Sequence, residues 1–201
     1  MGRNMKVLVC CEYSGIVRNA FEESGHDAVS CDLLPTEIPG KHFLGNVKEI
    51  INDGWDLMIA HPPCTYLSSS GLHWNKRVPG RAQKTEEALD FIRFILSAPI
   101  NKICVENPVG AISSQITKPT QYIQPYNFGH NASKKTGLWL KNLPPLKDTG
   151  PFIEPRIVNG LKRWENQTDS GQNKLPPSKD RWKIRSTFWT GIAKAMAEQW
   201  G

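Results

Sequence analysis

The sequence predicts an α/β domain, a mostly parallel twisted sheet with helices on both faces. Short apolar, β-rich runs alternate with segments of helical spacing, and parallel strands require such crossover segments between them. Several of the runs are apolar throughout, as strands covered on both faces must be. Three of them also end in polar or reactive groups: Glu12-Tyr13-Ser14-Gly15, His61-Pro62-Pro63-Cys64 and Glu106-Asn107-Pro108. In open α/β sheets the ligand lies beyond the carboxyl ends of the strands, so these three places are expected to converge.

The elements follow in order. KVLVCC, from Lys6, is a first strand. Gly15 to Ser24 is helical, with Ile16, Ala20 and Phe21 along one side and Gly25 as the stop. DAVSCD and HFLGNV read as the second and third strands, and DLMIA as a strand cut off by two prolines. Thr85 to Leu96 predicts a helix with Thr85 as N-cap and an acidic first turn. KICV is a buried strand that delivers Glu106-Asn107-Pro108. YIQPYNFG and TGLWL suggest a strand pair, residues 144–181 read as loop, and Gly191 to Trp200 reads as an amphipathic helix. The expectation is one domain over 1–201 with an irregular basic excursion at 145–185.

Composition narrows the class. The 201 residues are 39% hydrophobic and 22% charged, as in ordinary globular proteins. No apolar run approaches the ~20 residues of a membrane span, and the N-terminal residues lack the apolar core of a signal peptide. Lys6 stands where an acylation signal beginning Met1-Gly2 wants Ser or Thr. A cytoplasmic protein is expected. The five cysteines form no C-x-x-C and no Cys/His cluster of zinc spacing, so reduced thiols and no metal are expected. Residues 1–133 carry 12 Lys and Arg against 13 Asp and Glu, whereas residues 134–201 carry 13 against 6. This basic final third, with Trp139, Trp164, Trp182, Trp189 and Trp200, is either a phosphate-binding face or a solvated surface over core tryptophans.

Cys64 is the chemically pointed residue. It follows two prolines in a stiff turn just past a strand end, where a thiol is presented rather than packed. A thiolate there can attack an electrophilic carbon, and the carboxyl of Glu106 at the neighbouring strand end can share a proton. Glu12, Tyr13, Ser14 and Gly15 form a strand-to-helix turn of the kind that holds nucleotide-like cofactors, without the full glycine fingerprint. Asp32 ends the next strand, where it suits ribose hydroxyls or, equally, a plain turn. The other four cysteines read as structural.

In this order (turn, Asp32, PPC, ENP) the chain resembles the cytosine-C5 DNA methyltransferase family, in a short form without a full target-recognition domain. PPC and ENP are the specific part. GIVRNAFEESGHDAVSCD, FGHNASKKTGLWL and STFWTGIAKAMAEQW are similar to other segments of the family. The resemblance implies a Rossmann-like S-adenosylmethionine methyltransferase fold with S-adenosyl-L-methionine as cofactor. It also implies attack of Cys64 at cytosine C6 while Glu106, protonated in a dry pocket, assists at N3. Asn107 is implied to hold the Cys64 loop. Glu12, Tyr13, Ser14, Gly15, Asp32, Leu33, Asn46, Val47 and Pro62 fall at cofactor-binding positions, and Ser68, Lys134 and Lys135 at nucleic-acid-binding ones.

Three departures bear on function. EYSG replaces a more glycine-rich turn led by an aromatic residue, Asn46 stands for a common acidic residue, and Lys134 and Lys135 stand for arginines with forked geometry. Only about residues 145–185 are available where DNA-specific members carry a recognition lobe. Reading a sequence takes contacts to base edges. The expected substrate is therefore DNA with low or partner-dependent specificity, the partner being a specificity subunit. The alternatives are a cytosine nucleotide or single-stranded nucleic acid, and a non-catalytic nucleic-acid-binding relative.

Overall fold

The apolar runs form the centre of a seven-stranded sheet in the order β3-β2-β1-β4-β5-β7-β6, seen in a computed structural model that describes residues 4–201. The expectations on Met1-Gly2 lie outside the described residues. Five strands are parallel: β1 (Lys6–Cys10), β2 (Asp27–Asp32), β3 (His42–Leu44), β4 (Leu57–Ala60) and β5 (Lys102–Pro108). The edge is an antiparallel pair, β7 (Thr136–Lys141) on β5 and β6 (Gln121–Ile123) on β7. This is the Rossmann-like α/β arrangement that the alternation of elements predicts.

Strand pleating divides the core in two. Val7, Val9, Leu57 and Ile59 face one layer, with α1 (Ile16–Glu23) and α6 (Thr190–Trp200) packed over them through Val17, Phe21, Met196 and Trp200. Leu8, Cys10, Met58 and Ala60 point the other way, onto Leu89, Ile92 and Ile95 of α3 (Arg81–Leu96). Burying both faces explains why these strands read as unbroken apolar runs. Strand order reverses between β1 and β4, so the crevice at their carboxyl ends is the topological switch point.

Two predicted elements differ. Helix α3 begins at Arg81, behind a left-handed Gly80, and Thr85 lies within it. Its buried hydroxyl donates to Tyr66 O and bonds Asn75 instead of capping. The excursion at 145–185 is ordered around a hairpin, β8 (Arg156–Val158) and β9 (Leu161–Arg163). Its turn is Asn159-Gly160 at φ 48° and 76°, the left-handed pair of a two-residue hairpin, and Asn-Gly was the legible signal for it. Tyr126 and Trp164 stack at 4.1 Å between ring centres and anchor the hairpin to the sheet edge.

The tryptophans divide as well. Trp139, Trp164 and Trp200 are buried, and Trp182 alone of the five late tryptophans is exposed, on the short helix α5 (Arg181–Ser186). Two further short helices, α2 (Ser69–Leu72) and α4 (Ala111–Gln115), flank α3. Among the described residues, no helix is long and apolar enough to cross a membrane, and no His/Cys/Asp/Glu group could hold a metal ion.

Candidate active site

Register alone brings the two central strand ends together. Ala60 pairs with Val105, so the next residues, His61 and Glu106, emerge side by side at the switch point. The His61 N–H donates to Cys10 O, continuing the ladder one residue past β4 before the prolines end it. His61 Nδ1 then lies 3.1 Å from Glu106 Oε2, with both side chains nearly enclosed at 11% and 12% exposure. The ring of Phe188 packs over the imidazole with centroids 4.5 Å apart.

Cys64 is the only exposed cysteine among the five. Its loop is fastened to the Glu106 strand at two points. Asn107 Nδ2 donates to Pro62 O at 2.7 Å, inside the protein. Beyond the cysteine, Ser68 bridges Gly110, with Ala111 N bonding Leu67 O at 2.7 Å and Ser69 N bonding Val109 O at 3.0 Å. A Cβ on Gly110 would meet Leu67 O at 1.8 Å, so this close approach of two backbones requires glycine. Arg81 holds the far side, donating to Thr65 O and lying over the Tyr66 ring.

Electrostatics couple these groups. Packing around the sulfur pushes the Cys64 thiol up from its ordinary value, Lys134 and Arg185 pull it down, and Glu106 pushes it up. For Glu106, burial pushes up, but His61, Lys134 and Thr136 outweigh it and hold the carboxyl below its ordinary value. The sequence leads one to expect burial to favour a protonated Glu106; burial does push that way, but the donors and cations beside it push the other way and favour the anion. Two buried polar atoms beside Glu106 have no partner, His61 Nε2 and Asn107 Oδ1. Such atoms are rare in folded proteins, and here both lie at the strand ends of the crevice.

On the other side of the switch point, Glu12 is buried and caps α1. Its carboxylate accepts from Val17 N at 2.6 Å, from Arg18 N at 3.2 Å and from the Ser14 hydroxyl at 3.1 Å. The helix N-terminus is therefore already satisfied by an anion, and the turn suits a ligand that brings no phosphate to it. Gly15 takes φ 79°, and a Cβ there would meet the Arg18 guanidinium at 2.7 Å. Arg18 is fully buried inside α1 and bonds Asn19, Ser30, Thr36 and the carbonyls of Ile38 and Pro39, clamping the loop after β2. Nothing in the sequence reading marked it, although an arginine between Val17 and Phe21 on a packing face was the available signal.

Asp32 accepts Leu34 N at 2.9 Å through one oxygen, the plain turn role. Asn46 caps a 3-10 turn reciprocally with Glu49, and Val47 is a core residue. Leu33, at 74% exposure, and Leu44, at 60%, leave an uncovered apolar shelf beside Asp32. Tyr13 turns toward α5, its hydroxyl 2.8 Å from Ser186 Oγ, while Lys183 pairs with Glu37. Helix α5 thus spans from the Glu12 turn to Lys134, whose Nζ donates to Arg185 O.

The two lysines part company. The charge of Lys134 acts on both Cys64 and Glu106, whereas Lys135 lies 4.3 Å over the Tyr122 ring at the sheet edge. Asn166, from the basic excursion, fixes the backbone before Lys134 by exchanging two bonds with Ser133, at 2.9 and 3.0 Å. The Ser68 hydroxyl meets only Ser70, on the surface. Two cavities, of about 510 and 410 Å³, flank α3 without including Cys64 or Glu106. The smaller backs onto Pro62 and Pro63. The reactive groups instead line an open mouth.

No protein-family model and no curated protein matches the chain. Solved structures similar to it include the Dnmt2 methyltransferase of S. pombe, at 15% identity and a TM-score of 0.40, covering 71% of this chain and 51% of that one. Another is WbdD with the kinase inhibitor LY294002, at 14% identity and a TM-score of 0.40, covering 77% of this chain and 40% of that one. The chain spans about half of one of these proteins and 40% of the other, and likeness at this level carries no functional argument. Function must be read from the residues at the crevice.

Proposed function

We propose that the protein is an S-adenosylmethionine-dependent methyltransferase that acts on C5 of cytosine in DNA through a covalent bond between Cys64 and C6. One observation carries the reading: an exposed thiol is tied by Asn107 and Gly110 to the strand bearing a buried carboxylate, with unpartnered His61 Nε2 and Asn107 Oδ1 beside it. A structural cysteine needs none of this.

The residues at the Glu12 turn fit the cofactor. Its adenosine is apolar on the ring and polar on the ribose, as the shelf of Leu33 and Leu44 beside Asp32 requires. It brings no phosphate to a helix end that Glu12 already caps. The Asn46 amide nitrogen, on the side chain whose oxygen caps the 3-10 turn, and the backbone of Val47 and Pro62 complete the set. When bound, the cofactor supplies an electrophilic methyl group.

The chain's own residues do the rest. Lys134 and Arg185 favour the thiolate of Cys64 against the burial that opposes it. The Cys64 loop is held rigid at Pro62 and Gly110, which fixes the sulfur relative to the base. Glu106 faces N3 and the exocyclic amine. A base in duplex DNA must leave the stack to reach this mouth. Lys134, beside Cys64, is placed to neutralise the phosphate of that nucleotide. Lys135, Ser68 and the exposed cations Lys76, Arg77 over the half-exposed Trp74, and Lys84 over Tyr66 extend the nucleic-acid surface.

A small hairpin in place of a recognition lobe favours low or partner-supplied specificity, and keeps a single strand or a cytosine nucleotide as the second reading. Mass spectrometry of nucleosides after incubation with labelled cofactor and duplex DNA, single-stranded DNA, RNA or dCMP tests the proposal. Labelled 5-methylcytosine, absent with Cys64→Ser, is expected. Labelling of no cytosine substrate leaves a non-catalytic binding protein.

A further inference from the structure

Resting on that reading, we propose that His61 and Glu106 act as one proton-holding pair: His61 Nδ1 carries the proton that Glu106 passes to N3 of the base. A carboxylate facing N3 has a role in the proposed reaction only if it holds a proton when the sulfur attacks. The site does not provide that by itself. Lys134, Thr136 and His61 hold the carboxyl below its ordinary value despite its burial, which disfavours a proton on Glu106. A second proton store must touch it.

His61 meets the requirement geometrically. Its Nδ1 is 3.1 Å from Glu106 Oε2, within reach for direct transfer. The sheet enforces this contact, since Ala60 pairs with Val105 and the His61 N–H is bonded to Cys10 O. Phe188 covers the imidazole face, and both side chains are nearly enclosed, so water competes little for the shared proton. The unpartnered Nε2 means that no other protein group fixes which nitrogen bears hydrogen. The remaining charged or titratable groups facing the pair are Lys134 from the segment before β7, Cys64 from its loop, Arg185 from α5 and Cys104 within β5. None of these is hydrogen-bonded to the carboxylate as the imidazole is.

The proton count closes. Glu106 first takes the proton on His61 Nδ1; the Cys64 thiolate then forms the S–C6 bond, the C5–C6 π pair shifts to C4–C5 while the C4–N3 π pair moves onto N3, and N3 takes that proton from Glu106. The imidazolium becomes neutral. After C5 has accepted a methyl group, or a solvent proton when no cofactor is present, a C5 proton leaves to water. The S–C6 bond then breaks, and the N3 proton returns through Glu106 to His61.

Tritium release from single-stranded and duplex oligonucleotides carrying [5-³H]cytosine, without cofactor, isolates the addition step. Wild type should release tritium, with a rate that falls as the imidazolium is lost at alkaline pH. His61→Asn keeps a donor near the Nδ1 position but has no proton to give. It should release tritium about 100-fold more slowly and lose that pH limb, with thermal unfolding measured alongside to show that the variant is folded. Oligonucleotides containing 5-azacytosine, whose C6 is electrophilic without help at N3, should still form the covalent adduct with the variant. If His61→Asn does not fold, His61→Gln serves in the same assays. A variant with the wild-type rate and pH profile overturns the pair while leaving methylation intact. Wild type that neither releases tritium nor transfers methyl overturns the proposed function itself.

Discussion

Gly110→Ala isolates the fastening between the cysteine loop and the glutamate strand. Gly110 has φ 173°, an extended conformation open to any residue, so the substitution introduces contact and no backbone strain. The added Cβ would lie 1.8 Å from Leu67 O, 2.8 Å from its carbonyl carbon and 2.9 Å from Ser68 Cα, all backbone. The strands must part there, breaking the bonds from Ala111 N to Leu67 O and from Ser69 N to Val109 O. At about 0.5–1.5 kcal/mol each, the loss is about 1–3 kcal/mol. For a chain of this size, 2 kcal/mol lowers Tm by about 4–8 °C. The sulfur moves with the loop, so methyl transfer should fall by about 100-fold. Urea and thermal unfolding, with initial rates at saturating substrate, measure both. A variant with wild-type Tm and rate would refute the claim that this bridge positions Cys64.

Three more outcomes follow from the same contacts. Arg18→Ala removes a fully buried cation bonded to several loop carbonyls and to Glu22, and should cost about 3–5 kcal/mol in urea unfolding, with Arg18→Lys failing to restore the fork. Glu106 is held below its ordinary 4.5, so it stabilises the fold at neutral pH and loses that contribution as pH falls through its lowered value. Glu106→Gln should therefore be less stable than wild type at pH 7, with the gap closing in acid; a constant gap would contradict the ionised carboxylate. Lys134→Ala should move the pH midpoint of Cys64 alkylation upward, whereas Lys135→Ala, whose ammonium sits on Tyr122, should not; equal shifts would contradict the placement of the two lysines.

The fold was legible because its cause is local. Strands buried on both faces must be apolar throughout, and KVLVC, LMIA and KICV announced β1, β4 and β5. The strand-end groups were legible for the same reason, since topology carries each to the crevice whatever its distance in sequence. What stayed hidden depends on partners. The burial of Arg18 follows from Ser30 and the 36–39 loop, and the enclosure of His61 from Phe188, more than a hundred residues away. The direction in which the Glu106 carboxyl shifts is hidden too, because its burial is legible but the opposing His61, Lys134 and Thr136 are not. The Asn159-Gly160 hairpin carries a legible turn signal, but the proline and lysine around it read as loop.

Covalent trapping tests the central claim most directly. An oligonucleotide with 5-fluorocytosine cannot lose a C5 proton, so the enzyme and labelled cofactor should yield a stable adduct. Its mass should equal protein plus oligonucleotide plus CH2, a methyl group gained and the thiol proton lost, with the modified peptide containing Cys64. No adduct, or an adduct on another cysteine, would contradict the account.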